Sequence, residues 1–345
     1  MQLFARAYVL KNYSSLAKSI GLNPNELLRL VGIRPDMLHD LENPVPFDSL
    51  AKLLHNTARQ SGCETIGLRL ASKHEIDDFG VISLLIRHQP TLRDALNTFI
   101  DYRHILTQSH LLHIDDCGKT TIIREELLSE DIINKRHPIE LAVGMAFRLC
   151  DELTEKTWRP RSVNFTHTAP EDRTVHGRIF RCKVNFEADF NGIVCDTASL
   201  DAPLPSADPA IVRAVSRILG QIPASSQESL VHSVKKLIYL LMPMRRATLE
   251  QVALTLGMSV STLQRRLGDA GTTYMDLLGI VRNELVVPYL SNTGHSLQRI
   301  SDLLGFANQS SFTRWFIAAF SKTPRSWRKQ NNVAMVRVAP HKPLS

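Results

Sequence analysis

The chain has 345 residues, 43% hydrophobic and 22% charged, which excludes a wholly disordered polypeptide and exceeds what one core commonly organises; two domains are expected. Its longest unbroken apolar run, Leu237–Met242, is six residues, far below the ~20 that span a bilayer, and the N-terminus carries no apolar signal block, so a cytoplasmic protein without a membrane partner is expected. Net charge is +7, from 41 basic and 34 acidic residues; residues 226–345 hold 15 Lys and Arg against 6 Asp and Glu, whereas residues 1–225 hold 26 against 28. A basic final third joined to a nearly neutral partner suits a polyanion-binding module.

In chain order, residues 14–109 read as mostly helical: Leu50, Leu53, Leu54 and Ala58, then Leu92, Ala95, Leu96, Phe99 and Ile100, recur at helical spacing. From His110 the alternation shortens, and two β-rich runs around Asp115–Lys119 predict a hairpin. A helix follows along Ile139, Leu141, Ala142, Met145, Ala146, Leu149 and Leu153, then strand-like segments at Ser162–Thr166, Lys183–Phe186 and Gly192–Cys195. Long helices with a small mixed sheet define an α+β domain, assigned to residues 1–222 and large enough to enclose a pocket. The aromatic residues Phe79, Phe99, Tyr102 and Phe147 are read as core rather than as ligand contacts. Five cysteines, an odd number with no pair two residues apart, give neither a disulfide framework nor a zinc site. The stretch Leu200–Ser226, with Pro203, Pro205, Pro209 and Pro223 around one short helical piece, reads as a linker, with the boundary near Gln221–Ser226.

A duplicated unit occupies the basic third. Leu249, Val252, Ala253, Leu256, Gly257 and Met258 match Leu297, Ile300, Ser301, Leu304, Gly305 and Phe306; one residue later in register, Ser261, Leu263, Arg265 and Leu267 match Ser310, Phe312, Arg314 and Phe316. In each copy (about 249–268 and 297–320) Thr248 or Ser296 is suited to cap a first helix, and Gly257 or Gly305 to end it in the left-handed conformation. Met258 or Phe306 plugs the turn, and Ser259 or Asn308 caps a second helix. On that second helix Leu263 and Leu267, or Phe312 and Phe316, point inward, leaving Ser261, Gln264 and Arg265, or Ser310, Thr313 and Arg314, on the other side. Hydroxyls, an amide and a guanidinium on an exposed helical face are what major-groove reading needs: Arg grips guanine O6 and N7, and Gln grips adenine N6 and N7.

Between the copies, Thr273-x-x-Asp276 is a capping box, and Tyr274, Leu277, Leu278, Val281 and Leu285 form an apolar stripe. A helix from Thr273 to Ser291 would run ~28 Å, approaching the ~34 Å turn of DNA; Pro288 is expected to kink it. A further helix, capped by Ser225-x-x-Glu228 and ending at Pro243, precedes the first copy, and the basic segment Lys322–Arg328, anchored by Trp327, follows the second.

This third resembles the AraC/XylS family of bacterial transcription regulators. The carriers are Leu256-Gly257-Met258-Ser259, Leu263-Gln264-Arg265, Arg282-x-Glu284-Leu285, Tyr289-Leu290, Leu304-Gly305-Phe306, Phe312-x-Arg314-x-Phe316 and Pro324-x-x-Trp327-Arg328. The resemblance implies an all-α DNA-binding domain over residues 226–330, two helix–turn–helix units joined by a long linker helix, with a tail at 331–345. By position, the family's base-contacting residues fall on Ser261, Gln264 and Arg265, then on Gln309, Ser310, Thr313 and Arg314. Ser301 stands where the family usually has Ala, Ser321 stands where Gly is common, and Pro288 interrupts the linker helix. The first 220 residues resemble the arabinose-binding-type N-terminal domain through Ile66-Gly67-Leu68-Arg69-Leu70, Asp78-Phe79-Gly80, Pro90-Thr91-Leu92, Ala95-Leu96, Trp158-Arg159-Pro160 and Leu204-Pro205-x-x-Asp208-Pro209. That likeness names no ligand.

An enzyme is the main rival, but no P-loop, GxGxxG, GxSxG or HExxH is present. His110 and His113 lie on opposite sides of a strand, which argues against a shared metal. No cysteine has the context of a DNA-repair methyltransferase. A constitutive DNA-binding protein would not need a 220-residue neutral domain, and control by a protein partner alone is a further alternative. The expectation is therefore a non-enzymatic, sequence-specific transcription regulator, an activator, without cofactor or metal. Its expected partners are double-stranded promoter DNA, RNA polymerase, a small-molecule effector in the N-terminal domain and a second copy of the chain.

Overall fold

The computed structural model describes residues 3–107, 109–127, 135–219, 230–242, 245–256, 258–291 and 295–336. The chain divides into two units, residues 1–227 and 228–345.

The first unit opens with a two-stranded antiparallel ribbon, β1 (Phe4–Arg6) paired with β2 (Pro44–Pro46). Between them run α1 (Tyr13–Ser19) and α2 (Pro24–Leu30), and after them α3 (Phe47–Ser61), α4 (Ile66–Ala71), α5 (Val81–Arg87) and α6 (Leu92–Leu106). Residues 14–109 are thus mostly helical, as expected; the short strand β2 is not legible in the sequence, because a three-residue strand with a proline at each end has no period to recognise. Next come the hairpin β3 (His110–Cys117) and β4 (Thr120–Leu127), α7 (Arg136–Leu153), β5 (Ser162–Asn164), α8 (Thr174–Phe180), β6 (Lys183–Asn185), β7 (Asn191–Asp196), α9 (Thr197–Leu200) and α10 (Pro209–Leu219). The sheet order is β3-β4-β7-β5-β6, antiparallel except for the parallel pair β5–β6, so this unit is α+β with a small mixed sheet.

Hairpin register decides which residues face the core. His110 pairs with Leu127, Leu112 with Glu125 and Ile114 with Ile123, and cross-strand partners share a face. That face lies under α7, whereas His113 is on the other side beside Asp115, 3.0 Å away. The two histidines are thus separated as expected. Helix α7 also lies unusually close to α4: a Cβ on Gly67 would sit 2.0 Å from the carbonyl oxygen of His137, and one on Gly144 2.6 Å from Ala71 Cβ. No residue larger than glycine fits either contact.

The expected linker corrects in part. Its proline-rich opening folds back on the first unit: Leu204 N–H donates to the Pro90 carbonyl (2.9 Å), Asp208 N–H to the His88 carbonyl (2.9 Å), and Val215 of α10 is buried with Leu85 of α5. Proline forbids helix there but leaves an extended segment free to dock, and the apolar face of α10 is what it brings. The boundary stretch Gln221–Ser226, and with it the Ser225-x-x-Glu228 cap and Pro223, lies outside the described residues, as does Pro243.

The second unit is all-α: α11 (Leu230–Leu241), α12 (Leu249–Thr255), α13 (Val260–Asp269), α14 (Tyr274–Ser291), α15 (Leu297–Leu303), α16 (Gln309–Phe320) and α17 (Pro324–Val336). The long α14 contacts α11, α15 and α17. Pro288 sits inside it and does not end it, and α17 runs past the point where the tail was placed. No helix among the described residues is long and apolar enough to cross a membrane.

Candidate nucleic-acid interface

Each copy of the repeat is built by the same local bonds. All four expected caps form: Thr248 accepts from Gln251 N–H, Ser259 from Thr262 N–H, Ser296 from Arg299 N–H and Asn308 from Ser311 N–H. Each satisfies one of the donors that a helix start leaves open. Each turn closes with the same bond five residues back, from Met258 N–H to the Ala253 carbonyl (2.9 Å) and from Phe306 N–H to the Ser301 carbonyl (3.0 Å), the Schellman arrangement. Gly305 supplies the left-handed residue at φ +68°; Gly257 lies outside the described residues.

The second helices then show two faces. Leu263 and Leu267 on α13, and Phe312 and Phe316 on α16, are fully buried. Ser261, Gln264 and Arg265 are exposed on α13, with Arg266 beside them, and Gln309, Ser310 and Arg314 are exposed on α16. Thr313 is half-buried, and its hydroxyl donates to the Gln309 carbonyl of its own helix (2.9 Å), which leaves only its lone pairs for another partner. Ser261 shares its hydroxyl with Ser259 (3.0 Å). Neither arginine is engaged in an ion pair among the described residues.

Three side chains that the sequence placed only in the apolar stripe or the family pattern tie α14 to its neighbours. Arg282 of α14 donates from Nε to the Leu304 carbonyl (3.0 Å) and from an Nη to the Gly305 carbonyl (3.2 Å), and its guanidinium lies 3.9 Å from the centre of the Phe306 ring. It therefore meets the negative end of α15 and stacks on the turn plug at once. Burial lowers its pKa from the usual arginine value, the cost of withdrawing the cation from water. Tyr274, at the other end of α14, donates its hydroxyl to the Ala247 carbonyl ahead of the first copy (2.8 Å); burial pushes its pKa up to about 12. Arg328 of α17 donates to the Leu290 carbonyl at the end of α14 (3.0 Å). The Lys235–Glu284 ion pair (2.7 Å) joins α11 to α14. Sequence spacing signals none of these bonds, because they join residues 22 to 49 positions apart.

Two of the departures from the family pattern, Ser301 and Ser321, have local structural consequences. Ser301 is fully buried, and its hydroxyl has no hydrogen-bond partner among the described residues. Ser321 ends α16 in the left-handed region at φ +55°, the conformation that glycine adopts without penalty.

In the first unit a cavity of about 60 Å³ lies between α7 and the core face of the β3–β4 hairpin, with walls from β1, α3 and α6. Phe79, Phe99 and Phe147 are buried as expected and Tyr102 is only half-buried; of the four, Phe79 and Phe99 line the cavity. No cluster of described residues is arranged to hold a metal ion.

Two capped, Schellman-closed helix pairs, each showing a polar helix face to solvent, define a helix–turn–helix DNA-binding protein. Residues 252–330 match the helix-turn-helix domain, and residues 21–204 match the arabinose-binding domain of AraC transcription regulators, N-terminal. The chain belongs to the AraC family of DNA-binding transcription regulators. It is 26% identical over 331 residues to the HTH-type transcriptional regulator VirS of Mycobacterium tuberculosis, covering 95% of this chain and 97% of that one. It is 24% identical over 317 residues to the ornithine utilization regulator of Pseudomonas aeruginosa, covering 91% and 93%. A shorter match, 33% over 84 residues, joins it to the transcriptional activator NphR of Rhodococcus sp, covering 24% of this chain and 25% of that one.

Proposed function

We propose that this regulator activates transcription in response to a small effector. Residues 226–330 bind double-stranded promoter DNA, with α13 presenting Ser261, Gln264 and Arg265, and α16 presenting Gln309, Ser310, Thr313 and Arg314, to base edges in the major groove. Residues 1–222 hold the effector and shift the population of DNA-competent states, and the chain pairs with a second copy and engages RNA polymerase in the cytoplasm. The observation that carries this reading is the matched division of faces: in both copies the apolar pair is fully buried while the aligned arginine, Arg265 or Arg314, stands in solvent. A catabolic regulator and an activator among the relatives support control by a metabolite and positive action.

The test uses operator fragments selected by the full-length protein from a random-sequence pool. Arg265→Ala and Arg314→Ala should each weaken operator binding by ~1–3 kcal/mol, about 5- to 150-fold in gel shift, with the fold intact by circular dichroism. Undiminished affinity in both variants would remove the base-reading assignment.

A further inference from the structure

The cavity against α7 narrows the chemistry of the effector, an inference that rests on reading the first unit as a sensor. One wall is a chain of ring contacts, with centroids 5.6 Å apart for Tyr8–Phe79, 5.5 Å for Phe79–Phe99 and 6.0 Å for Phe99–His110. The facing wall is the apolar side of α7, including Met145 and Ala146. Among the described residues no lysine or arginine lines the space. A carboxylate or phosphate there would be buried without a counter-charge.

The polar end has a definite character. His110 lines the cavity, and its Nε2 lies 2.9 Å from Oε2 of Glu125. Glu125 is not itself part of the lining: it shares the core face of the hairpin with His110 and Leu112, reaches the cavity only through its bond to His110, is fully buried, and has no hydrogen-bond partner at Oε1 among the described residues. A buried carboxylate oxygen lacking a donor is costly, and a ligand that brings an N–H or O–H relieves that cost. The lining hydroxyls of Thr107 and Ser109 already pair with each other (3.1 Å). A polyhydroxylated sugar would therefore set most of its hydroxyls against carbon.

We propose that the effector is an apolar amine or alcohol, its hydrocarbon body between the aromatic wall and α7 and its single donating head at His110, directed towards the Glu125 carboxyl bonded to that ring. A short body enters the cavity as it stands, and a longer one enters by displacing Met145, whose unbranched side chain adapts readily.

The test is calorimetric titration and thermal shift on the full chain, with n-alkylamines and n-alkanols of three to six carbons, the matching n-alkanoates and L-arabinose. Saturable binding of amines or alcohols, with alkanoates and arabinose inert, is expected. Glu125→Gln should weaken the amines ~10-fold or more, and Ala146→Phe, which fills the space, should abolish binding of both series. Equal binding of alkanoates or arabinose, or amine binding that survives both variants, would overturn the proposal. If Ala146→Phe fails to fold, the ligand ranking and Glu125→Gln still decide it. Gel shifts separate this proposal from effector control itself. An amine or alcohol that binds without changing DNA affinity upholds the cavity assignment and removes effector control by it. DNA affinity that responds only to an anionic or polyhydroxylated metabolite does the reverse.

Discussion

Arg282→Ala should unfasten the second turn from α14 without touching a residue assigned to DNA. The wild-type guanidinium makes two bonds to carbonyls and one contact with an aromatic ring. A hydrogen bond to a charged group contributes ~1.5–3 kcal/mol. The Gly305 carbonyl is on an exposed residue that water can serve, so only the Leu304 bond counts in full. The stacked cation adds ~1 kcal/mol, and part of the total is offset by the desolvation that lowers the arginine pKa. The expected loss is about 3 kcal/mol, or ~12 °C or more in Tm for a unit of this size. Arg282→Lys, a point charge that cannot bridge two carbonyls while stacking, should lose about half as much. Urea unfolding in a Trp158→Phe background isolates the effect, since the two remaining tryptophans, Trp315 and Trp327, both lie in the second unit. A loss below about 0.5 kcal/mol, or a lysine variant as stable as the parent, would refute the argument.

Further outcomes follow from single residues. Ser301→Ala removes a buried hydroxyl with no partner among the described residues and should stabilise the second unit by ~1 kcal/mol in the same assay; a destabilisation would reveal a bond to that hydroxyl. Ser321→Gly relieves a left-handed serine and should add ~0.5–1 kcal/mol, with an unchanged or lower urea midpoint counting against strain at that cap. The first unit should be acid-sensitive through His137, buried beside Arg136, Glu140, His55 and His167 and pushed by that burial from 6.5 down to about 4. The unfolded chain takes up this proton first, so the contribution is complete above about pH 6.5 and is lost as pH falls towards 4, with ~2 kcal/mol gone by pH 5. His137→Phe should shrink the drop in stability between pH 7 and 5 by that amount; an unchanged drop would assign it to other groups, such as His167, which burial also lowers.

Much of the proposed interface was legible in the chain because it is made of short-range bonds. A cap reaches three residues ahead, a Schellman turn five residues back, and the buried pairs Leu263–Leu267 and Phe312–Phe316 recur at one helical turn. Those intervals are fixed by helix geometry, so the duplicated pattern of residues 249–268 and 297–320 announced two helix pairs and the side of each that faces water. The hairpin and its separation of His110 from His113 were legible for the same reason, a period of two.

Tertiary structure alone decided how these pieces are held and what they enclose. Arg282 meets Leu304 and Phe306 across more than twenty residues, α10 returns to α5 in place of a free linker, and the cavity takes its walls from segments between Ala5 and Leu149. The residues on the hairpin's core face were legible from alternation, but the missing partner of Glu125 Oε1 depends on everything folded above it. The physical reason is range: hydrogen bonds along one helix or hairpin follow from residue spacing, whereas a contact between distant segments depends on how every intervening element turns.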